Sequence, residues 1–169
     1  MRTIKLSQGM VALVDDADFA ELSRYNWFAA EQPKGSGCYY AVRTRAVVNG
    51  KQGAGISMAR TLLGLEPGDG KIAEHANRVT LDNRRSNIRI ATRAQNRQNA
   101  KIQENNTSGF KGVSWSSTAR KWVSQINATG EHYILGYFNN AVEAAKIYDR
   151  AAKMLHGEFA LTNKMLKTL

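Results

Sequence analysis

The chain has 169 residues, enough for one ordinary domain or two small ones, and its 43% hydrophobic content supports folded cores. A formal net charge of +10 and a sequence pI of about 9.9 favour a polyanionic partner. The one cysteine, Cys38, excludes an intramolecular disulfide and a cysteine-cluster zinc site, and it indicates a reducing, intracellular setting. No apolar run approaches the roughly 20 residues of a membrane span, so no membrane partner is expected.

The N-terminal part predicts a series of short elements without a catalytic signature of its own. Loose alternation of apolar residues indicates strands, and acids before an apolar run indicate a helix start. The predicted order is two strands within 3–14 around Gln8-Gly9, a helix capped by Asp16 or Asp18, strands at 39–48 and 56–58 joined by a hairpin at Asn49-Gly50, and a short helix at 59–65.

Residues 74–96 carry the clearest chemical pattern. Glu74 stands directly before His75, and Asn87 and Asn96 follow the histidine at intervals of twelve and nine residues. An acid and a late amide can hold a cation while a histidine activates water, which is what a one-metal phosphodiesterase needs. The alternative is an isolated structural histidine. Basic residues surround the pattern, and four arginines are predicted to contact phosphates: Arg84, Arg85, Arg89 and Arg93.

This spacing resembles the HNH nuclease motif in the His-Asn-Asn form of phage-type homing endonucleases. Further pieces resemble that family at 11–16, Trp27, 39–43, 81–89 and Ala91-Thr92. The resemblance implies a strand that ends in the acid–histidine pair, a loop, and a helix that brings in the last ligand. The implied roles are His75 as general base, Glu74 and Asn96 as ligands of one Mg²⁺ or Mn²⁺, Asn87 as a support bonded to backbone near His75, and Asp82 and Asn83 as braces of the loop.

Four departures from the family's pattern cluster at this site. Glu74 stands where Asp is usual, which moves the carboxylate by about an ångström and weakens a preorganised site. Ala76 and Arg78 stand where Ile and Gly are usual, and Ala59 stands where a supporting histidine is usual. Such a cluster favours a catalytically degenerate nuclease that functions as a DNA-binding protein, and it is also compatible with a divergent but active enzyme.

The C-terminal part predicts three strands followed by one helix. Residues 98–108 are polar and predict a linker, which either lies along a DNA groove or is merely solvated. The predicted elements are strands at 110–115, 121–127 and 132–138 and a helix at about 141–156, with Asn140 as its cap, Glu143 completing a capping box and Gly157 at its C-terminus.

Strand alternation assigns two faces to the predicted sheet. The residues expected to face the helix are Val113, Trp115, Trp122, Ser124, Ile126, Tyr133 and Leu135. Those expected to face outward are Lys111, Ser114, Ser116, Gln125, Asn127, His132 and Ile134. The outer set contains the donor and acceptor types that read base edges and phosphates, with a plain solvated face as the alternative.

This module resembles the ethylene-response-factor (APETALA-type) DNA-binding domain of plants, and more closely its version fused to phage and bacterial HNH endonucleases. The matching pieces are 108–115, Lys121-Trp122, 135–138, Ala144-Ala145, Tyr148-Asp149, Ala151-Ala152 and 156–160 with Asn163. The resemblance implies that the outer sheet face enters the major groove. It places DNA contacts at Lys111, Gly112, Ser114, Ser116, Gln125, Asn127, His132 and Ile134. The plant family has several arginines there and this chain does not, so its target sequence is expected to differ.

Together these patterns predict an α+β chain of four parts. They are an HNH-like domain at 1–97 with a ββα-metal motif at about 70–97, a linker at 98–108, an APETALA-type domain at 109–163 built of a three-stranded antiparallel sheet packed on one helix, and a tail at 164–169. The first interpretation is a homing-type DNA endonuclease that acts as a monomer on double-stranded DNA inside a bacterial or phage-infected cell. The second is a catalytically degenerate DNA-binding protein or repressor. The third, an RNA-binding protein, is disfavoured because the sheet aromatics are predicted to point inward.

Overall fold

The computed structural model describes residues 1–45 and 53–169, which divide into two compact units, Met1–Arg93 and Ala94–Leu169. Several small antiparallel sheets and short helices make up the described part, so the predicted α+β class is confirmed. Among the described helices, none is long and apolar enough to cross a bilayer. The predicted hairpin turn at Asn49-Gly50 lies outside the described residues.

The first unit arranges small antiparallel sheets around one apolar core. Its elements are β1 (Arg2–Lys5), β2 (Val11–Val14), α1 (Asp16–Leu22), β3 (Phe28–Glu31), β4 (Tyr39–Thr44), β5 (Gly55–Ser57), α2 (Met58–Leu62), β6 (Ile72–His75) and β7 (Ile88–Ala91). Strand β1 pairs with β2, β4 lies between β3 and β5, and β6 pairs with β7. The buried cluster comprises Ile4, Leu6, Ala12, Val14, Leu22, Trp27, Ala29, Ala41 and Met58. The two predicted strands around Gln8-Gly9 are confirmed as β1 and β2.

Helix α1 is shorter than the apolar run that predicted it. It begins at Asp16 and ends at Leu22, with Asp15 at the N-cap position, so the predicted caps Asp16 and Asp18 were wrong. Trp27 lies beyond the helix, where its indole N–H donates to the carbonyl oxygen of Leu22 at 2.8 Å. Trp27 therefore shares the core with Leu22 without sharing its helix, whereas Tyr25 is 40% exposed.

The second unit contains a three-stranded antiparallel sheet with a long helix on one face. Its elements are α3 (Arg93–Gln98, which starts at the last residue of the first unit), β8 (Val113–Ser116), β9 (Lys121–Ala128), β10 (Glu131–Phe138), α4 (Ala141–His156) and α5 (Asn163–Leu166). Strand β9 lies in the centre, and Val113 and Ile126 pack against the alanine-rich face of α4. The three predicted strands are confirmed with small shifts of their ends.

Helix α4 is capped by Asn140 as predicted, but among the described residues Glu143 makes no hydrogen bond that would complete the predicted capping box. The side chain of Asn140 accepts a hydrogen bond from the backbone N–H of Val142 at 2.7 Å, which satisfies one of the free donors of the first turn. Gly157 at the C-terminus has φ of +54°, a conformation in which glycine carries no steric penalty. Helix α5 begins at Asn163 and covers residues that the sequence predicts to be a tail.

A buried polar cluster ties α5 to the segment before β8. Asp149 accepts hydrogen bonds from the backbone N–H and side-chain amide of Asn163 at 2.7 and 2.9 Å, and from the backbone N–H of Lys164 at 3.0 Å. Asn163 in turn accepts from the backbone N–H of Lys111 at 2.7 Å and donates to its carbonyl oxygen at 3.1 Å. Three distant segments are therefore held together by one carboxylate and one amide.

Replacing Gly112 with alanine is expected to lower the stability of the second unit by about 3 kcal/mol. Gly112 has φ of +72°, and an added Cβ would overlap the ring of Tyr148. The matched control is Gly130→Ala, because Gly130 has φ of +85° with open space around its Cα. That control carries the conformational penalty alone, about 1 kcal/mol. Thermal unfolding of both variants measures the difference, and equal shifts would remove the packing contribution.

Candidate active site and nucleic-acid interface

The acid–histidine pair lies at the end of a strand, as the sequence predicts. Strand β6 ends at His75, and its antiparallel partner β7 aligns Glu74 with Arg89 and His75 with Ile88. The pairing continues one step further, because the backbone N–H of Ala76 donates to the carbonyl oxygen of Asn87 at 2.8 Å. In the chain, the order is thus strand, loop, strand and then helix α3.

His75 is buried and held by an amide. Its exposed fraction is 6%, and its Nε2 lies 3.2 Å from Oδ1 of Asn83. Because an amide oxygen only accepts, this contact corresponds to the tautomer with the proton on Nε2. Burial lowers the pKa of His75 below its usual 6.5, against the opposing effects of Asn83, Asp82 and Glu74. The imidazole is therefore neutral at pH 7, which a general base requires.

Asn87 joins the two ends of the loop between β6 and β7. Its side-chain oxygen accepts from the backbone N–H of Asn77 at 2.9 Å, and its side-chain amide donates to the carbonyl oxygen of Asp82 at 2.7 Å. The Asp82 carboxylate accepts from Arg84 and from the side chain of Asn77, and the hydrogen bonds from Arg84 are the main cause of its lowered pKa. These contacts are to backbone near His75, where the resemblance expects Asn87 to act.

Arg78 adopts a backbone conformation that favours glycine. Its φ is +64°, and its backbone N–H donates to the carbonyl oxygen of His75 at 2.9 Å to close a turn. Left-handed backbone at a residue with a Cβ costs about 1 kcal/mol or more. Arg78 therefore closes a turn of the kind that glycine favours, and its backbone is strained three residues after His75.

Glu74 is buried in an ion pair. Its exposed fraction is 4%, and its Oε2 accepts from Nε of Arg89 at 2.6 Å. Its other oxygen, Oε1, is buried and has no hydrogen-bond partner among the described residues. An unpartnered carboxylate oxygen suits an oxygen-seeking cation. The described residues contain no cluster of three His, Cys, Asp or Glu side chains, so any such site would need a ligand of another kind, such as an amide.

Three of the four arginines expected at phosphates are held in ion pairs within the first unit. The pairs are Arg84–Asp82 at 2.6 Å, Arg85–Asp18 at 2.7 Å and Arg89–Glu74 at 2.6 Å. The side chain of Arg85 is still 59% exposed, so its outer edge faces solvent despite the pairing. Arg93 is exposed at the start of α3. Their phosphate contacts stay a prediction.

The remaining residues of the predicted nuclease site lie on two helices. Asn96, the second metal ligand implied by the resemblance, is exposed on α3 and belongs to the second unit. Ala59, where a supporting histidine is usual, is buried at 1% exposure near the start of α2. A packed alanine there leaves no imidazole to support His75 from this helix.

The outer sheet face of the second unit contains most of the residues predicted to contact DNA. Cross-strand pairing aligns Gln125 with Ile134 and Asn127 with His132. His132 Nδ1 lies 2.8 Å from Oδ1 of Asn127, so this pair is internally bonded. The amide of Gln125 donates to Oγ of Ser114 at 3.4 Å, the long end of the hydrogen-bond range. Ser116 lies at the far end of β8 on the same alternation.

Two other predicted DNA contacts lie in the segment that precedes β8. The ammonium group of Lys111 donates to the carbonyl oxygens of Gln98 and Ala100 at 2.5 and 2.6 Å, so it tethers the preceding segment. Gly112 lies against Tyr148 and accepts a backbone hydrogen bond from Gln125 at 2.8 Å. Both residues therefore have packing or bonding roles within the second unit, whatever they contact on a partner.

The expectation that the sheet aromatics are covered by the helix was wrong for two of them. Trp115 is 51% exposed and Tyr133 is 43% exposed, whereas Trp122 packs beneath the sheet against α4. Trp115 contacts the edge of Trp122, with ring centroids 5.2 Å apart. Tyr137, at 49% exposure, is a further exposed ring. Alternation assigned the sides of the strands but not how far α4 reaches across them. Because Trp115 and Tyr133 are exposed, RNA binding is no longer disfavoured on the ground of inward-pointing aromatic rings.

Comparisons with known proteins give two relatives. No family model matches the chain, and neither does any solved structure. The chain is 33% identical over 91 residues to Protein 3.8 of Escherichia phage T7, an alignment that spans 54% of this chain and 74% of that protein. The chain therefore belongs to the same family as Protein 3.8. It is also 33% identical over 85 residues, 49% of its length, to the ethylene-responsive transcription factor ERN1 of Medicago truncatula, of which it covers 31%.

Proposed function

We propose that the chain is a sequence-directed DNA endonuclease that hydrolyses a phosphodiester bond by a one-metal HNH mechanism. The observation that carries the proposal is the buried acid–histidine pair at the end of β6, within the strand–loop–strand formed by β6 and β7. His75 ends β6, Asn87 bonds the backbone of the following loop, and burial keeps the imidazole neutral. This is the local arrangement that the HNH resemblance predicts.

Double-stranded DNA is the proposed partner. The likeness to a plant protein named as a transcription factor, the net charge of +10 and the polar outer face of the β8–β10 sheet all support it. A sheet face can present side chains to base edges in the major groove. In this proposal the second unit selects the site and the first unit cuts.

In the reaction, His75 accepts a proton from the attacking water, so that the water oxygen attacks phosphorus as the bond to the 3′ oxygen breaks. Asn83 holds the imidazole, and Asn87 fixes the loop that follows His75. Glu74 offers Oε1 as a cation ligand, and Asn96 is the second ligand that the resemblance implies. A bound Mg²⁺ or Mn²⁺ supplies charge neutralisation at the phosphate and at the leaving oxygen.

The second candidate is a catalytically degenerate protein that binds DNA without cutting it. The Glu74–Arg89 ion pair favours it, because one carboxylate oxygen already has a cationic partner in the folded chain. The strained turn at Arg78 and the alanine at position 59 favour it as well. The two candidates share the DNA-binding surface and differ only at the acid–histidine pair.

A nicking assay on supercoiled plasmid DNA separates the candidates. The full chain is expected to relax the plasmid with Mg²⁺ or Mn²⁺ and to leave it intact with EDTA. Binding to the same DNA is measured in EDTA by gel shift, with duplex RNA and single-stranded RNA as competitors. Binding without relaxation would leave the degenerate candidate. Stronger competition by RNA than by DNA would contradict both.

A further inference from the structure

Gln125 on the central strand β9 and Ile134 on the edge strand β10 form a mixed polar and apolar pair on the outer sheet face. They lie directly opposite each other on β9 and β10. Cβ atoms of such cross-strand pairs are separated by about 4.5–5.5 Å, comparable with the roughly 3.4 Å step between stacked base pairs. The two side chains can therefore meet one base pair or two neighbouring ones.

Ile134 is the aliphatic member of this pair, and it is 56% exposed. An exposed apolar side chain on this face can contact the thymine methyl group in the major groove. Gln125 has one weak side-chain hydrogen bond, at 3.4 Å to Ser114, so its amide can turn to a ligand at little expense. An amide side chain pairs with N6 and N7 of adenine.

The neighbouring row of the face is less available. Asn127 and His132 are bonded to each other at 2.8 Å, so a base edge would have to compete with that contact. The preceding row contains Ser114, Val123, which is 7% exposed, and Tyr137, which is 49% exposed and offers an aromatic ring in place of an aliphatic group. Among the described rows, Gln125 and Ile134 therefore combine an adaptable amide with an exposed aliphatic group.

We infer that Gln125 and Ile134 read an A·T base pair, or two neighbouring ones, with Gln125 on the adenine and Ile134 on the thymine methyl. The inference rests on the proposed DNA-binding function and adds the base identity to it.

Purified full chain in EDTA, which prevents cleavage, is used to select sites from a pool of randomised duplexes. Each thymine of the selected site is then replaced by uracil, which lacks only the 5-methyl group.

At one thymine or more, replacement by uracil is expected to weaken binding about fourfold, the effect of one buried methyl group. Ile134→Ala should bind the thymine and uracil duplexes equally. Gln125→Ala should lose about 5–150-fold of the preference for adenine over guanine at one position. The matched control is Val142→Ala, which removes an exposed aliphatic side chain from α4 and should keep the sensitivity to uracil.

Two results would overturn the inference in distinguishable ways. Tight duplex binding with no effect of uracil at any position, or an Ile134→Ala variant that still detects uracil, would overturn the base assignment and leave DNA binding in place. Failure of the wild-type chain to enrich any duplex would overturn the DNA-binding proposal together with the inference. Thermal unfolding of each variant shows that the fold is intact.

Discussion

Replacing His75 with alanine is expected to lower the rate constant of DNA cleavage by a factor of about 10²–10⁴, while the affinity for DNA in EDTA changes by less than about twofold. The reason is that the proposed base lies in the first unit, whereas the proposed reading face lies in the second. Single-turnover cleavage and gel shift on the same duplex measure the two quantities separately.

The controls for this variant address the burial of His75. An alanine at a position with 6% exposure also leaves a cavity, so the melting temperature is recorded beside the rates. His75→Gln keeps most of the volume without a basic nitrogen, and it should be as inactive as alanine. Glu74→Gln keeps the shape of the ion-paired carboxylate and removes its charge. Equal losses of cleavage and binding in the His75 variants would make the residue structural.

The cleavage rate should also depend on pH in a defined direction. Because burial lowers the pKa of His75 below 6.5, the base stays neutral at neutral pH and cleavage falls only as the pH drops through that lowered value. The unfolded chain binds the proton more readily, so the contribution of His75 to stability is fully present above pH 6.5 and is lost below it. In the His75→Gln variant this part of the pH dependence of stability should disappear.

The second unit could be predicted well from sequence because its signals are local. Alternating strands, turn residues and the Asn140 cap each depend on a few neighbours, and the bounds of α4 agree with them. The reach of α4 across the sheet is a tertiary property, so the exposure of Trp115 and Tyr133 was missed. The sequence did not predict where α1 ends, because Trp27 belongs to the same apolar run and joins the core from irregular backbone beyond Leu22.

The candidate nuclease site shows the same division. The strand before the acid–histidine pair and the bracing contacts of Asn87 follow from spacing and residue type. The Glu74–Arg89 ion pair depends on hairpin register, which aligns residues fifteen positions apart in the chain. Aligning β6 and β7 residue by residue from the two ends of their loop would have revealed the Glu74–Arg89 pair. Because Arg89 lies in a basic segment, the sequence instead predicted a phosphate contact for it. The spacing of residues along the sequence therefore says less about which ligands are available than the register of the paired strands does.

Replacing Asp149 with alanine is expected to destabilise the second unit by about 3–5 kcal/mol, enough to abolish duplex binding. The change removes the acceptor of three hydrogen bonds of 2.7 to 3.0 Å, from two groups of Asn163 and one of Lys164. Asn163 is fully buried, so water cannot replace the carboxylate there. Its bonds to Lys111 would lose their support as well, and that would loosen the segment before β8.

Hydrogen–deuterium exchange of the full chain measures this effect unit by unit. Protection should fall across β8–β10 and α4 in Asp149→Ala and stay unchanged in residues of the first unit. The matched control is Glu143→Ala, which removes an exposed acid from the first turn of the same helix and should cost less than about 1 kcal/mol. Asp149→Asn keeps one acceptor oxygen and should fall between the two. If Asp149→Ala had the same protection as the Glu143→Ala control, α5 would contribute nothing to the stability of the sheet, and apolar packing alone would stabilise it.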